Sequence, residues 1–313
     1  MSTVQGVAKT FIIGRFLPND EYRLQKGKAK LPNEFNARVG LYREDQIFDL
    51  TDAGVSGWVP LMETPDLVGE LVTLAGRPLK HHEISGVYEL PAVDPQQEVI
   101  AAGVTYDISR RKRNLESTGS EKPPEPSDYD TIAMASRGEY FRKTDARKVV
   151  GHVIGFRQKD SDWNVVEPEI VVGFNSRGEL VCHKIGNDVS SRRLEGTNKL
   201  YLWQAKDYLR SCSVGSHALV GVDEKQAKKE FVLSLEIKRD GKIIYNESTP
   251  YNRMERSYEN LRDYLFLDNE FPYGVDLFTG TGLVPENFTL QTGDEITIAV
   301  PQIGKLVNTA VGL

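Results

Sequence analysis

The chain has 313 residues, and its 39 Lys plus Arg against 45 Asp plus Glu give a formal net charge of −6. This length allows one large core or two domains. The acidic balance argues against nucleic acid or an anionic membrane as the main partner. We expect neither a signal peptide nor a membrane span, because no long apolar run occurs. Cys182 and Cys212 show no zinc or disulfide spacing, so a cytoplasmic location is the simplest expectation.

The first ninety residues predict a small mixed α/β unit. Residues 38–42 and 46–50 have the pattern of a β-hairpin. Residues 65–74 carry leucines at helical spacing. No candidate chemistry is visible here. We therefore predict a small N-terminal domain over residues 1–94.

From residue 98 onward the sequence changes to short, β-rich segments. Strands are expected at 99–104, 149–156, 170–174, 180–181, 230–237, 242–245, 295–300 and 305–307. Asp240-Gly241 predicts a tight hairpin turn between two of them, and residues 253–266 have helical periodicity. Many short strands with few helices predict an α+β, β-rich second domain of curled sheets over residues 95–313. A doubly wound βαβ fold is not supported.

Three carboxylates are the first candidates for chemistry. Glu167 and Glu169 stand two residues apart, so an extended backbone points both to one face, and Asp188 follows the next predicted strand. Such a pair is usually a solvated polar face. However, residues 170–174 are almost wholly apolar, as in a strand buried on both faces, and buried carboxylates need a compensating partner. The residues alone leave a polar face and a divalent-cation site both open.

A polar stretch rich in Ser, Pro and Glu covers residues 114–137. It follows a basic cluster at residues 110–113, which indicates either an anion-facing segment or a solvated helix face. A long polar stretch inside a domain is typically a functional lid or a flexible loop. We prefer a lid over the carboxylate site, and a plain loop stays open.

Motifs in residues 95–313 resemble the fumarylacetoacetate hydrolase family. They are G-V-T-Y-D, E-P-E-I-V-V, G-N-D-V-S, L-F-T-G-T and T-G-D-E-I-T-I-A-V-P-Q-I-G-K-L-V-N, in the family's order and spacing. The resemblance implies a curled-sheet, β-roll catalytic domain. It also implies that Glu167, Glu169 and Asp188 hold Mg²⁺, with Mn²⁺ or Ca²⁺ as alternatives.

Two further motifs are similar to a branch of this family that dehydrates 2-keto-3-deoxy sugar acids: G-E-Y-F-R-K-T at 138–144 and L-Y-L-W-Q-A-K at 200–206. That similarity implies Glu139 at the reacting carbon and Lys206 at the metal. The residues it assigns to substrate binding are Lys143, Thr105, Tyr106, Arg110, Thr279, Gly280 and Thr281. From the residues alone, Glu139 could equally be a surface glutamate beside Arg137, and Lys206 an ion-paired helix lysine.

The resemblance implies a reaction as well as a fold. A 2-oxo acid chelates the cation, which stabilises the enolate formed when a C3 proton leaves, and Glu139 serves as acid or base in loss of the C4 hydroxyl. The expected substrate is a pentonate and the expected product is 2,5-dioxopentanoate. Hydrolases of the family carry a histidine soon after the G-x-x-Y motif, whereas residues 107–112 contain none. A C–C hydrolase, a decarboxylase and a non-catalytic binding protein remain alternatives. A homodimer or homotetramer is also implied.

Overall fold

A computed structural model describes residues 10–313, apart from the side chains at 116–118. The first part of the chain consists of β1 (Phe11–Pro18), α1 (Asn19–Lys26), β2 (Arg38–Arg43), β3 (Gln46–Asp49), α2 (Trp58–Met62), α3 (Leu67–Ala75), β4 (His81–Glu83) and β5 (Val87–Leu90). The predicted hairpin is β2 and β3. The predicted helix is α3, which begins after Asp66 because the Asp66 side chain accepts a hydrogen bond from the Gly69 N–H.

The central part of the chain carries most of the candidate site. Its elements are β6 (Glu98–Gly103), α4 (Asp107–Thr118), α5 (Asp128–Met134), β7 (Glu139–Asp145), β8 (Val153–Phe156), β9 (Asn164–Val165), β10 (Pro168–Phe174), β11 (Leu180–Asp188), β12 (Ser190–Ser191), α6 (Arg192–Thr197) and α7 (Leu202–Lys206). The stretch expected to be a lid or loop therefore contains the end of α4 and the whole of α5. Ser127 caps α5 through a capping box with Asp130.

The last part contains β13 (Cys212–Val214), β14 (Ala218–Val220), α8 (Glu224–Glu230), β15 (Val232–Arg239), β16 (Lys242–Pro250), α9 (Tyr258–Leu265), β17 (Val275–Phe278), β18 (Glu295–Val300) and β19 (Gly304–Gly312). Asp240 and Gly241 both have positive φ in the turn between β15 and β16, as the hairpin prediction required. The helix expected from residue 253 starts later, because Ser257 caps α9 by accepting from the Asn260 N–H.

Two sheets organise the described part of the chain. The larger has the order β4-β3-β2-β1-β14-β11-β10-β17-β6-β7, with β13 on β11 and β5 on β1, and the smaller has the order β16-β15-β18-β19-β8. A core of buried aliphatic and aromatic side chains packs between them. The prediction of a β-rich α+β fold is confirmed. The domain boundary at residue 94 stays a prediction, and β1 pairs with β14 across it.

No helix in the described residues is both long enough and apolar enough to cross a lipid bilayer.

One buried histidine makes the stability of the fold depend on pH. His183 on β11 is fully buried against Phe231 and Tyr258, and neither ring nitrogen has a hydrogen-bond partner in the described part of the chain. Burial disfavours the imidazolium ion and lowers the pKa of His183 from 6.5 to about 3. Between these two pH values the unfolded chain binds the proton and the folded protein does not. Acidification through this window therefore destabilises the fold, by at most ~1.4 kcal/mol per pH unit for one proton.

We expect His183→Leu to reduce this dependence on pH. Urea unfolding at about pH 7 and about pH 5 measures the change in unfolding free energy for each protein. His81→Leu, at an exposed position, is the matched control and should keep the wild-type change. Equal changes in His183→Leu and wild type would show that this imidazole does not contribute.

Candidate active site

The three predicted carboxylates meet where two antiparallel strands end. Glu169 lies at the head of β10 opposite Gly186 near the end of β11, and Glu167 precedes β10 directly. Asp188 closes β11. All three side chains are buried, and one oxygen from each lies within 4.8 Å of the others. Three hard oxygen donors at this spacing fit a divalent cation such as Mg²⁺ or Mn²⁺. We call these three residues the carboxylate triad.

Lys206 reaches the triad from the last turn of α7. Its Nζ lies 2.5 Å from Glu167 Oε2 and 3.1 Å from Asp188 Oδ2, and it donates to Ser190 Oγ at 2.6 Å. Burial alone would lower the pKa of Lys206, but attraction to Asp188 and Glu167 outweighs burial and raises it. The ammonium group therefore stays charged and offsets the negative charge of the triad.

Two arginines that the sequence analysis did not select also contact the triad. Arg192 on α6 lies 2.5 Å from Glu167 Oε1, and Arg113 on α4 lies 3.5 Å from the same oxygen. Both guanidinium groups also pair with Glu195. Burial would raise the pKa of Glu167, but attraction to Arg192, Lys206 and Arg113 lowers it. The sequence does carry a signal for this ion-pair network in Arg192-x-x-Glu195. Side chains at this spacing are neighbours on a helix, and the motif follows soon after Asp188.

The Thr279-Gly280-Thr281 turn closes the triad from the other side. The Gly280 N–H donates to Glu169 Oε2 at 2.6 Å. Gly280 has φ of 90°, and a Cβ there would lie 2.0 Å from Thr105 Oγ1, so only glycine fits this turn. Burial raises the pKa of Glu169, and repulsion from Asp188 raises it further. A cation between these carboxylates would relieve that repulsion.

The residues predicted to bind substrate divide into two groups. Gly280 and Thr281 line the cavity in front of the triad. Thr105 and Thr279 lie behind the turn and support it, since Thr105 Oγ1 donates to the Thr279 carbonyl at 2.5 Å. Tyr106 is also buried behind it, with its ring against Gly282.

Lys143 and Arg110 lie away from the cavity surface. Lys143 is fully buried, with its Nζ 2.7 Å from Asp188 Oδ1 and donating to the Val189 carbonyl at 3.2 Å. Since Lys206 contacts Asp188 Oδ2, the two lysines hold both oxygens of this carboxylate. Arg110 pairs with Asp107 and Asp130 within α4 and α5. In these positions Lys143 supports the triad and Arg110 joins α4 to α5, and their role in substrate binding stays a prediction.

Glu139 lines the same cavity as the triad, from the first position of β7. Gly103 makes room for it, because a Cβ on Gly103 would lie 1.9 Å from Glu139 Oε2. Burial raises the pKa of Glu139, with nearby Arg113 opposing that effect. A carboxyl group with a raised pKa that holds no other assigned role is a candidate for proton transfer.

We call the space in front of the triad the site cavity. Its volume is about 130 Å³, small beside the roughly 300–1,000 Å³ of pockets that hold drug-sized ligands. Tyr129 and Ile132 of α5, together with Leu202 and Phe141, supply its less polar wall. The polar stretch at 114–137 thus contributes to the cavity, as expected of a lid, whereas its closure stays a prediction.

The formal charges around the cavity almost cancel. Six carboxylates line it, namely Asp128, Glu139, Glu167, Glu169, Asp188 and Glu195. They face five cationic groups: Arg113, Arg192, Lys199 and Lys206, which line the cavity, and Lys143, which lies behind Asp188. When all are ionised, six against five leaves one negative charge. A dication makes the sum +1, and a singly charged acid brings it to zero. The site is therefore suited electrostatically to a dication bound together with one carboxylic acid.

Comparison with known proteins supports this chemistry. The chain is 42% identical over 216 residues to a probable 2-keto-3-deoxyxylonate dehydratase of Haloferax volcanii, a match that covers 68% of this chain and 72% of that protein. It is 32% identical over 266 residues to the 2-dehydro-3-deoxy-D-arabinonate dehydratase of Saccharolobus solfataricus, which covers 83% and 88% respectively. No protein-family model matches the chain.

The fold agrees with these relatives. A solved structure of 2-keto-3-deoxy-D-arabinonate dehydratase, complexed with magnesium and 2,5-dioxopentanoate, superimposes with a TM-score of 0.74 at 23% identity. The match covers 96% of this chain and 99% of that one. The resemblance seen in the sequence motifs is thereby confirmed, and the chain belongs to the family of 2-keto-3-deoxy sugar-acid dehydratases, which are hydro-lyases with the fumarylacetoacetate hydrolase fold.

Proposed function

We propose that this protein dehydrates a 2-keto-3-deoxy pentonate, such as 2-keto-3-deoxy-D-arabinonate or D-xylonate, to 2,5-dioxopentanoate with Mg²⁺ as its cofactor. The observation that carries the proposal is the placement of Glu139 in one small cavity with the buried carboxylate triad. The names of the two relatives support the substrate class. The homo-oligomer and the cytoplasmic location stay predictions.

The carboxylate triad would hold the cation. When bound, a divalent cation supplies Lewis acidity that makes the C3 protons of a 2-oxo acid easier to remove. Lys206 contacts both Glu167 and Asp188, so it holds these two carboxylates together and places a positive charge beside the triad. Arg113 and Arg192 pair with Glu167 and Glu195. With the triad assigned to the cation, this leaves Glu139 as the cavity carboxyl group with a raised pKa and no ion pair among the described residues.

Glu139 can perform the proton transfers of this reaction in turn. As a carboxylate it takes a proton from C3. As a carboxylic acid it returns that proton to the C4 hydroxyl, so that the C4–O bond breaks and water leaves. A C3=C4 double bond results. A proton shift from C5 to C3 then gives an enol with a C4=C5 double bond. Gain of a proton at C4 and loss of the proton from the C5 hydroxyl convert this enol to the C5 aldehyde, and Glu139 is the group in the cavity suited to carry the proton from C5 to C3.

The histidines favour dehydration over C–C hydrolysis. None of the histidines in residues 10–313 lines the site cavity, and His183 is buried in the hydrophobic core instead. A hydrolase needs a base that activates water, whereas a dehydratase gains from excluding it. The same cavity therefore supports the dehydratase better than the hydrolase.

Product analysis tests the proposal. The purified protein with Mg²⁺ is incubated with 2-keto-3-deoxy pentonates, 2-keto-3-deoxy hexonates and acylpyruvates, and products are identified by mass spectrometry. We expect loss of one water from a pentonate and no cleavage of acylpyruvates. A chelator should abolish the dehydration and leave the acylpyruvates uncleaved. Cleavage of an acylpyruvate without dehydration of any 2-keto-3-deoxy acid would favour the hydrolase.

A further inference from the structure

A second pocket lies beside the site cavity, and we call it the side pocket. Its volume is about 220 Å³, and the residues that line it are Arg113, Tyr129, Glu195, Gly196, Thr197, Asn198 and Lys199. Four of these also line the site cavity: Arg113, Tyr129, Glu195 and Lys199. The two spaces therefore share a wall made of these four side chains.

The members of this wall are held in different ways. Arg113 and Glu195 pair with each other, and both belong to the ion-pair network of Glu167. Among the described residues, Tyr129 forms no hydrogen bond or ion pair with the triad. Its ring lies 5.2 Å from Lys199 Nζ, and Lys199 also pairs with Asp128. Tyr129 is therefore the part of the wall that can be shortened without taking a charge away from the triad.

The side pocket differs chemically from the less polar wall of the site cavity. Gly196, Thr197 and Asn198 line the side pocket but not the site cavity, and they offer backbone and polar side-chain groups. A carbon that carries a hydroxyl group suits such a lining better than an alkyl carbon. The sixth carbon of a hexonate, with its hydroxyl, has this character.

We propose that Tyr129 sets the length of the acid that the site accepts, by closing the side pocket to the end of the substrate remote from its carboxylate. The proposal rests on the proposed function, because the triad must fix the 2-oxo acid end for chain length to be measured from it. A five-carbon acid fits in front of the tyrosine, and a six-carbon acid needs the space behind it.

Substrate preference is the first measurement. We expect Tyr129→Ala to raise the ratio of kcat/KM for a 2-keto-3-deoxy hexonate to that for the pentonate by about tenfold or more, the usual effect of room for one carbon. Tyr129→Phe keeps the ring and should keep the wild-type length preference. Met134→Ala is the matched control, since Met134 lies on the same helix, is 74% exposed and lines neither pocket.

Binding is the second measurement and does not depend on turnover. Unbranched 2-oxo acids of increasing length are titrated calorimetrically in the presence of Mg²⁺. We expect affinity in wild type to fall beyond a certain length, and that limit to move to longer acids in Tyr129→Ala and in a second opening variant, Tyr129→Ser. An unchanged limit with normal binding of short acids would overturn the length proposal and leave the function standing. Failure of wild type to bind any 2-oxo acid would overturn both.

Discussion

Glu139→Gln should lower turnover of the pentonate by ~10² or more, the usual size of a general acid or base effect. Glutamine keeps the shape and hydrogen-bonding reach of glutamate but cannot exchange a proton. Because Glu139 is not one of the three triad carboxylates and forms no ion pair among the described residues, affinity for Mg²⁺ and for substrate should change little. Steady-state kinetics give turnover, and titration calorimetry gives the two affinities.

The pH profile provides an independent check on Glu139. Burial raises the pKa of this carboxyl group. The rise in activity that follows its deprotonation should therefore occur at a higher pH than for an ordinary glutamate. Glu139→Gln should lack that rise. Glu255→Gln, at an exposed position, should retain the wild-type rate and profile. A Glu139→Gln rate within a few-fold of wild type would remove Glu139 from the acid and base roles.

Glu169→Ala should weaken Mg²⁺ binding by more than ~100-fold. Removal of a residue that only supports a metal ligand lowers metal affinity by up to about 100-fold, and loss of a ligand itself should cost more. Glu169 is the most informative triad residue to replace. Among the described residues it accepts a hydrogen bond from the backbone N–H of Gly280, whereas removal of Glu167 would also take a carboxylate partner from both Arg192 and Lys206. Mg²⁺ affinity is measured by titration calorimetry.

Thermal unfolding separates loss of the cation from loss of the fold. Without Mg²⁺, Glu169→Ala should be at least as stable as wild type, because burial and repulsion from Asp188 disfavour the ionised Glu169. With Mg²⁺, wild type should gain stability and Glu169→Ala should not, since a ligand that binds only the folded state stabilises it. Glu295→Ala, at an exposed position of β18, should behave like wild type. Mg²⁺ affinity in Glu169→Ala equal to that of wild type would exclude the triad as the metal site.

The triad could be predicted because its signal is local. Two glutamates at alternate positions before an apolar strand need only the strand period to share a face, and β10 and β11 then pair as neighbours in the chain. The strand pairs on either side of Asp240-Gly241 and at β2 and β3 were predictable for the same reason. In each case, nearby residues determine the structure.

The rest of the site depends on contacts between distant segments. Arg113 joins Glu195 from a helix that begins at residue 107, so neither residue alone indicates the pair. Lys143 resembles a residue that faces substrate, but the fold turns its ammonium group toward Asp188. The 114–137 stretch has the composition of a loop, yet the capping box at Ser127 forms a helix there. Such features require the tertiary structure.

The hydrogen bond from the Gly280 N–H to Glu169 joins positions 111 residues apart, and the bond from Thr105 to the Thr279 carbonyl spans 174 residues. Both depend on β17, which pairs with β10 on one side and in parallel with β6 on the other. Closing loops of this length costs chain entropy before the contacts repay it, and parallel pairing is slow. We therefore expect β10 and β11 to pair earlier in refolding than β17 docks beside β10. Cation affinity followed during refolding would then reach its full value only after the Gly280 N–H has reached Glu169.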